Sequence, residues 1–297
     1  MHAPIVEMNF FDDVARIAAR RLRGAGYSVS SLESSEDVLH KYFNARKRRI
    51  YKMPRTVYIA QDFQCPPKYK PAFDEICRKA KAGEHLVPHQ SRKVLKLDYN
   101  DALLNDWDIH HLHLSTRPDP KHKGLVKGTD EVLFARFTAD GMYCLTIMGH
   151  GTWAYRELVE ILHDNWKHTL NPIKGIRGES KKDIGSKEIM NLRNAGVNAA
   201  IAMDDGTVYA MLGGGYATTG LNAQVVLVTD GLRDRCRFLE DQTRLLVNLH
   251  MEAERGKGIT PPNAYAVSLS DDNGTWFARD IKNKLDAPLL APLIPLL

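Results

Sequence analysis

Three segments with alternating apolar and polar residues follow one another in the middle of the chain, and they constrain its fold more than any other feature. They cover Trp107–Ser115, Glu131–Thr138 and Met142–Met148. Alternation with a period of two is typical of strands that bury one face. Only Ala139-Asp140-Gly141 separates the second segment from the third, and this turn sequence predicts an antiparallel hairpin. We therefore expect a small antiparallel sheet at the centre of the chain.

Segments with helical periodicity surround these strands. The spacing of apolar residues predicts helices over 9–24, from Ser34 onwards, over 68–82 and over 155–167. Ser34 is a good first residue for its helix, because its hydroxyl can accept from the free amides while Asp37 completes a capping box. A short strand is expected at 56–60. The predicted fold class is α+β, with a small antiparallel sheet flanked by helices and a second α+β domain.

The length of 297 residues favours more than one compact unit. Asn171-Pro172 opens a polar, glycine-bearing run to Gly185 that is typical of a linker. Four parts are expected on this basis: a basic helical arm at 1–56, a histidine-rich α+β module at 57–170, a C-terminal α+β domain at 186–285, and an apolar, proline-rich tail at 286–297. In the third part we expect hairpins at 204–206 and at Asn273-Gly274, a strand at 224–229 and a helix at 232–254. The glycine-rich run 213–220 lacks the Gly-Lys-Ser/Thr ending that grips nucleotide phosphates, and it is expected to be a turn.

Composition points to the cytoplasm. No apolar stretch approaches the roughly 20 residues that cross a bilayer, and the first residues carry acids where a signal peptide would be apolar. The four cysteines form no C-x-x-C pair, so we expect reduced thiols and neither a zinc knuckle nor a disulfide framework.

Positive charge is concentrated in two places. Seven basic residues and no acidic one lie between Lys41 and Arg55, interleaved with aromatic rings. Such a segment can neutralise phosphates while its rings stack on bases, although a solvated helix face is an equal alternative. The candidate nucleic-acid contacts are Arg46, Lys47, Arg48, Arg49 and Lys52, together with Lys121 and Lys123 of a long basic loop.

Histidines cluster in the central module, where nine of the twelve lie between residues 85 and 168. Strand alternation places His111 and His113 on one face. The neighbouring strands are expected to turn Leu133, Ala135, Phe137, Tyr143, Leu145 and Ile147 towards a core, and Arg136 to the opposite side. His111, His113 and Arg136 would then share an open face, with His150 at a strand end.

Two imidazoles and a guanidinium around one phosphate suit RNA cleavage. One imidazole would take the proton of the ribose 2′-hydroxyl, the other would protonate the leaving oxygen, and arginine would stabilise the pentacoordinate charge. This chemistry needs neither a metal nor a cofactor. The alternative is that these histidines form a polar sheet face or lie satisfied in the core.

The order of elements over 57–152 resembles that of RelE-type ribonuclease toxins: a strand, two helical segments and three strands, the last ending in YCLTIMGH. The resemblance implies that Arg136 and His150 are catalytic or hold RNA, and that His111 and His113 are additions of this chain. It implies a toxin-like endoribonuclease with RNA as partner. A protein inhibitor or a homo-oligomer is left open as a further partner.

A second resemblance uses the same residues. His111-Leu112-His113 is similar to the His-hydrophobic-His strand of HUH endonucleases. That resemblance implies that both imidazoles hold a divalent metal, while Tyr155 attacks single-stranded DNA. The chain departs from that family at Val159, where a lysine is expected. The third hypothesis is a nucleic-acid-binding or scaffold protein without catalysis.

Overall fold

The computed structural model describes residues 5–149, 155–179, 197–272 and 275–289, with the single positions 188, 191, 192, 195 and 293. The helices are α1 (Phe10–Gly24), α2 (Ser35–Arg48), α3 (Lys70–Ala82), α4 (Ala102–Trp107), α5 (Tyr155–Trp166) and α6 (Ala223–Gly256). The strands are β1 (Ile5–Glu7), β2 (Thr56–Ile59), β3 (Ile109–His113), β4 (Glu131–Phe137), β5 (Gly141–Gly149), β6 (Ile201–Ala202), β7 (Val208–Tyr209), β8 (Ala264–Ala266), β9 (Ser268–Asp272), β10 (Thr275–Asp280) and β11 (Leu285–Leu289). The predicted α+β class is confirmed.

The chain divides into two compact units, and the division differs from the predicted one. One unit joins residues 1–46 to 225–297, and the other comprises residues 47–224. No boundary falls in the glycine-bearing run at 171–185, because residues on either side of it share one core. Ile201, Met203 and Tyr209 pack with Leu158 and Leu162 of α5. The N-terminal and C-terminal parts of the chain, which were predicted to be separate, together form the other unit.

The central unit is built on a four-stranded sheet in the order β2-β5-β4-β3. Strands β3, β4 and β5 are antiparallel neighbours as predicted, whereas β2 pairs with β5 in parallel, which makes the sheet mixed. A bulge between Phe134 and Ala135 shifts the register of β4 against β5. Beyond the bulge, Arg136 pairs with Tyr143, so Tyr143 lies on the Arg136 side of the sheet and not on the face predicted from alternation.

Helices cover both faces of this sheet. On one face Leu112, Leu133, Ala135 and Cys144 pack against α3. On the other, the buried apolar residues are Ile109, Val132, Phe134, Tyr143 and Leu145 from the sheet, Leu158, Val159, Leu162 and Trp166 from α5, and Ile201, Met203 and Tyr209 from the β6–β7 region. The His111 side of the sheet is therefore a second core and not the open face expected from the sequence.

The other unit combines α1, most of α2 and most of α6 with small sheets. Strands β1 and β8 pair in parallel, and β9, β10 and β11 form an antiparallel sheet. The β9–β10 pairing brings Asp272 opposite Thr275, which confirms the hairpin expected there, although its tip at 273–274 lies outside the described residues. The buried Asp13 carboxylate accepts from the backbone N–H of Leu269 and ties α1 to β9.

Residues 224–229 form the first turns of α6, and the strand predicted there is wrong. The run Val-Val-Leu-Val favours a strand by local propensity. In the folded chain Val225, Thr229, Leu232 and Cys236 line one buried side of the helix, so burial at helical spacing outweighs that propensity. Among the described residues, no helix is long and apolar enough to span a membrane.

Candidate nucleic-acid-binding and active site

His111 and His113 lie on β3, which is an edge strand of the central sheet. Their side chains share a face, with ring centroids 6.4 Å apart and ring planes nearly perpendicular. Both residues are partly exposed, although their cross-strand neighbours Phe134 and Val132 are fully buried. The edge position therefore keeps the two imidazoles accessible on a face that is otherwise a core.

A backbone hydrogen bond orients the ring of His113. The amide N–H of Thr129 donates to Nδ1 of His113 across 3.0 Å. Because an amide can only donate, Nδ1 must be unprotonated, and the proton of the neutral ring is on Nε2. In this state His113 offers an N–H donor. Nε2 can bind a metal only after losing that proton, which for a neutral ring means moving it to Nδ1 and breaking the bond to Thr129.

His89, which lies in the segment before β3, supports the backbone of that strand. Its Nδ1–H donates to the carbonyl oxygen of His113 across 3.1 Å, and the residue is almost fully buried. Burial lowers the pKa of His89, so it stays neutral near pH 7. His89 therefore fixes the position of the His113 backbone.

Arg136 lies on the same sheet face as His111, opposite Ile109, but only 12% of its side chain is exposed and its guanidinium already has partners. Its Nε is 3.4 Å from Oδ2 of Asp108, and its Nη1 donates to the carbonyl oxygen of Thr169 across 3.1 Å. The expectation that Arg136 faces an open site is therefore corrected. Its guanidinium joins the end of α4 to the turn after α5.

A small, open pocket adjoins His111 at the edge of β3. Its lining residues are Arg48, Gln90, Ser91, Lys93, Val94, Tyr99, Asp101, His110 and His111. Burial, with the nearby charges of His111, Lys47 and Arg55, lowers the pKa of His110 to about 3. His110 is thus a neutral hydrogen-bonding group at any physiological pH.

Two charged groups near the start of β3 have shifted pKa values. Asp108 lies at the end of α4 and has a left-handed backbone. Burial raises the pKa of its carboxyl group, although the positive charges of Lys47 and Arg136 act to lower it. Burial also lowers the pKa of Lys47, whose ammonium donates to the Gln224 side chain. A group of perturbed titratable residues beside a pocket is a recognised sign of a functional site.

The predicted basic contacts fall into two classes. Arg48 is buried and donates to the carbonyl oxygens of Lys93 and Leu97, so it clamps the segment 92–99 and is not available to a phosphate. Lys47 is recessed, as described above. Arg46 and Arg49 are partly exposed, and Lys52 is exposed.

Lys121 and Lys123 are exposed on a short hairpin that starts just after β3. Pro118 pairs with Val126, and Leu125 is buried beneath the hairpin. Sequence reasoning missed the exposed basic residues Arg92, Lys93 and Lys96, which precede β3, whereas the exposed Arg117 and Lys127 belong to the predicted basic loop. Of these residues, Lys93 lines the pocket beside His111, a position that only the tertiary fold decides.

Other sequence candidates have structural contacts or lie outside the described residues. His150 and the side chain of Tyr155 are outside them. His163 Nδ1 lies 2.9 Å from the Tyr209 hydroxyl, and Arg156 pairs with Glu160, which accounts for both residues without catalysis. The described part of the chain contains no group of three or more histidine, cysteine or acidic residues placed to hold a metal ion.

The glycine-rich run at 213–220 docks on α4. The amides of Gly213 and Gly215 donate to the carbonyl oxygens of Asp106 and Asn105. The buried Asn222 side chain donates to Asn105 and to the carbonyl oxygens of the same two glycines. The run is therefore a packed turn, as predicted.

Comparison of the chain with protein-family models, with curated proteins and with solved structures yields no match.

Proposed function

We propose that this protein is a toxin-like endoribonuclease that acts in the cytoplasm and cleaves RNA at the edge of β3. The observation that carries the proposal is the pair His111 and His113, whose ring centroids are 6.4 Å apart on one partly exposed face of an edge strand. Two hydrogen bonds of about 2.9 Å each to oxygens of one phosphate need a separation of this order.

Exposed positive charge around the pair supports a polyanionic substrate. Arg92, Lys93 and Lys96 lie on the segment before β3, and Arg117, Lys121 and Lys123 lie on the hairpin after it. A strand of RNA passing between these segments would exchange its counterions for protein cations, which is the main source of affinity in such complexes. Lys93 also lines the pocket beside His111 and can hold a phosphate there.

The hydrogen bond at Nδ1 of His113 supports different roles for the two imidazoles. His111 acts as the base that takes the proton of the ribose 2′-hydroxyl. His113, neutral and protonated on Nε2, donates a hydrogen bond to a nonbridging phosphate oxygen as negative charge develops. The 2′-oxygen bonds to phosphorus, the bond to the 5′-oxygen breaks, and the 5′-oxygen takes a proton from water. The hydroxide left behind takes the proton held by His111, which restores the neutral base. The products are a 2′,3′-cyclic phosphate and a 5′-hydroxyl.

The test is cleavage of a labelled RNA of mixed sequence, with and without EDTA, beside the same sequence in which every ribose is replaced by 2′-deoxyribose. We expect cleavage of RNA that survives EDTA, cyclic phosphate ends, and no cleavage of the deoxy strand. His111→Ala should abolish it. His168→Ala, which changes an exposed histidine of the same unit, is the matched control and should leave it intact.

Other outcomes separate the competing functions. DNA cleavage that EDTA abolishes, with a covalent adduct lost in Tyr155→Phe, would support the HUH alternative. Salt-sensitive binding of RNA with no cleavage under any condition would leave a nucleic-acid-binding protein. Either result overturns the ribonuclease proposal.

A further inference from the structure

Helix α6 has apolar residues on two opposite faces. Val225, Thr229, Leu232, Cys236, Thr243, Val247 and Met251 form its buried face. Leu227, Phe238, Leu245 and Leu249 are exposed, at 69%, 61%, 57% and 61% respectively. At 3.6 residues per turn, Phe238 lies about 200° from the buried Cys236, so the exposed residues lie on the side of the helix away from the core. These four residues with Gly231 are the outer stripe.

The outer stripe is symmetric in spacing about Phe238. Gly231 and Leu245 lie seven residues before and after it, and Leu227 and Leu249 lie eleven residues before and after it. Seven and eleven residues are close to two and three whole helical turns, so all five positions share one face. A stripe with this symmetry matches a second copy of itself that runs in the opposite direction.

We infer that the protein forms a twofold-symmetric dimer through antiparallel packing of α6 on α6 of a second copy. Phe238 packs on Phe238 of the partner subunit at the symmetry axis, and Leu227 packs on Leu249 of the partner subunit. Gly231 faces Leu245 of the partner subunit and leaves room for it. A twofold interface is isologous, with the same patch on both copies, and a stripe that mirrors itself about one residue meets that requirement.

Two pairs of opposite charges beside the outer stripe come to similar levels in this arrangement, whereas Asp234 comes within one residue of the level of Asp241 of the partner subunit. Asp230, Asp234, Arg237, Asp241 and Arg244 flank the stripe on one side of the helix. Reversal about Phe238 brings Arg237 within two residues of the level of Asp241 of the partner subunit, which is about 3 Å along the axis. Asp230 comes equally close to the level of Arg244 of the partner subunit. The same charges also pair within each helix, Arg237 with Asp234 and Arg244 with Asp241.

The surface available is of the size that an interface needs. The exposed parts of Leu227, Phe238, Leu245 and Leu249 amount to roughly 500 Å² per copy, and a specific interface buries about 1,000 Å² or more in total over both partners.

Sedimentation velocity of the full chain gives the first test. We expect the wild type to sediment as a dimer at micromolar concentration, and Phe238→Glu to sediment as a monomer with an unchanged circular dichroism spectrum. Leu32→Glu is the matched control, because Leu32 is 93% exposed and lies outside α6. A monomeric wild type overturns the inference. A loss of thermal stability in Phe238→Glu with no change of mass would mean that another part of the same chain covers the outer stripe, and it also overturns it.

Disulfide crosslinking tests the antiparallel direction. Phe238→Cys should crosslink two chains on oxidation, Leu227→Cys alone should not, and Leu227→Cys/Leu249→Cys should do so again. Self-crosslinking of Leu227→Cys would indicate a parallel pair and contradict the arrangement.

Charge reversal tests the flanking contacts. Arg244→Asp should weaken the dimer about tenfold or more, and Arg244→Asp/Asp230→Arg should recover most of the loss. If the double variant dimerises as weakly as Arg244→Asp alone, the proposed register is wrong.

Discussion

The amide N–H of Thr129 donates to Nδ1 of His113 across 3.0 Å, and this contact decides what the histidine can do. A ring that accepts at Nδ1 holds its proton on Nε2, so it donates a hydrogen bond without being a strong acid. His111 lies on the same face of β3 as His113, but it is two residues further from the hairpin whose end supplies the Thr129 amide. The two histidines of the proposed site are therefore not equivalent.

The first prediction follows from this difference. His113→Gln keeps an N–H donor at a similar reach, so we expect kcat for RNA cleavage to fall only about tenfold, whereas His111→Gln should lose a factor of about 10²–10⁴ because the base is gone. The pH dependence of kcat should rise through a single ionisation and then level off. Single-turnover cleavage across pH 5–9 measures both. Equal losses in the two variants, or a bell-shaped profile, would point to a conventional acid and base pair.

The second prediction concerns stability and pH. His110 has a folded-state pKa of about 3, against an ordinary value of 6.5. Between these values the unfolded chain binds a proton that the folded chain excludes, so stability rises with pH across this window and is lost as pH falls below about 6.5. At pH 5 the loss from His110 is on the order of 2 kcal/mol. The lowered pKa of His89 adds in the same direction, while the raised pKa of Asp108 opposes it.

Urea unfolding at pH 7.5 and pH 5 measures this effect. His110→Gln cannot take up a proton, so its unfolding free energy should change less between the two pH values than that of the wild type. An unchanged difference in the variant would show that His110 is not the group responsible.

The third prediction tests whether Arg136 is structural. Arg136→Gln removes the partner of the partly buried Asp108 and the donor to Thr169, and we expect a loss of about 1–3 kcal/mol in unfolding free energy. Cleavage per folded molecule should stay within about threefold. A double-mutant cycle with Asp108→Asn should show coupling between the two residues. Abolished cleavage in a fully stable Arg136→Gln protein would instead restore the catalytic role expected from the sequence.

The fourth prediction separates exposed from buried cations. Lys121→Ala/Lys123→Ala should weaken RNA binding for every sequence and reduce the salt slope of the binding constant by up to about 1.4 for a single strand, because each lysine neutralises about one phosphate. Lys282→Ala, an exposed lysine of the other unit, should leave the slope unchanged. Arg48→Met should lower the melting temperature because the carbonyl oxygens of Lys93 and Leu97 lose their donor. Fluorescence anisotropy over a KCl series and thermal melts provide the measurements.

The fifth prediction concerns the docking of the glycine-rich run on α4. A Cβ at Gly213 would lie 2.0 Å from the carbonyl oxygen of Leu104, so Gly213→Ala forces the run away from the helix. We expect a loss of several kcal/mol, of the order seen for core overpacking. Gly24→Ala, at a position where a Cβ meets nothing within 4 Å, is the control and should be neutral or slightly stabilising. Chemical unfolding of the two variants compares them directly.

Local signals in the sequence were sufficient for several helices and for the strands of the central sheet. Ser34 accepts from the amide of Asp37 at the start of α2, as predicted, and Gly83 ends α3 with the left-handed backbone that glycine favours. The β4–β5 hairpin forms about the Ala139-Asp140-Gly141 turn. Such features depend on residues that are neighbours in the chain, and their period or capping chemistry is written in the sequence itself.

The sequence by itself determined the α+β class, the approximate ends of these helices and strands, and the position of His111 and His113 on the same face of one strand. Only the tertiary structure decided that the face is covered, that Arg136 and Arg48 are held by backbone carbonyl oxygens, and that residues 224–229 belong to a helix. The physical reason is that alternation fixes which side chains share a face but not what packs against that face. Burial is set by residues such as Leu158, Tyr209 and Cys236, which come from distant parts of the chain.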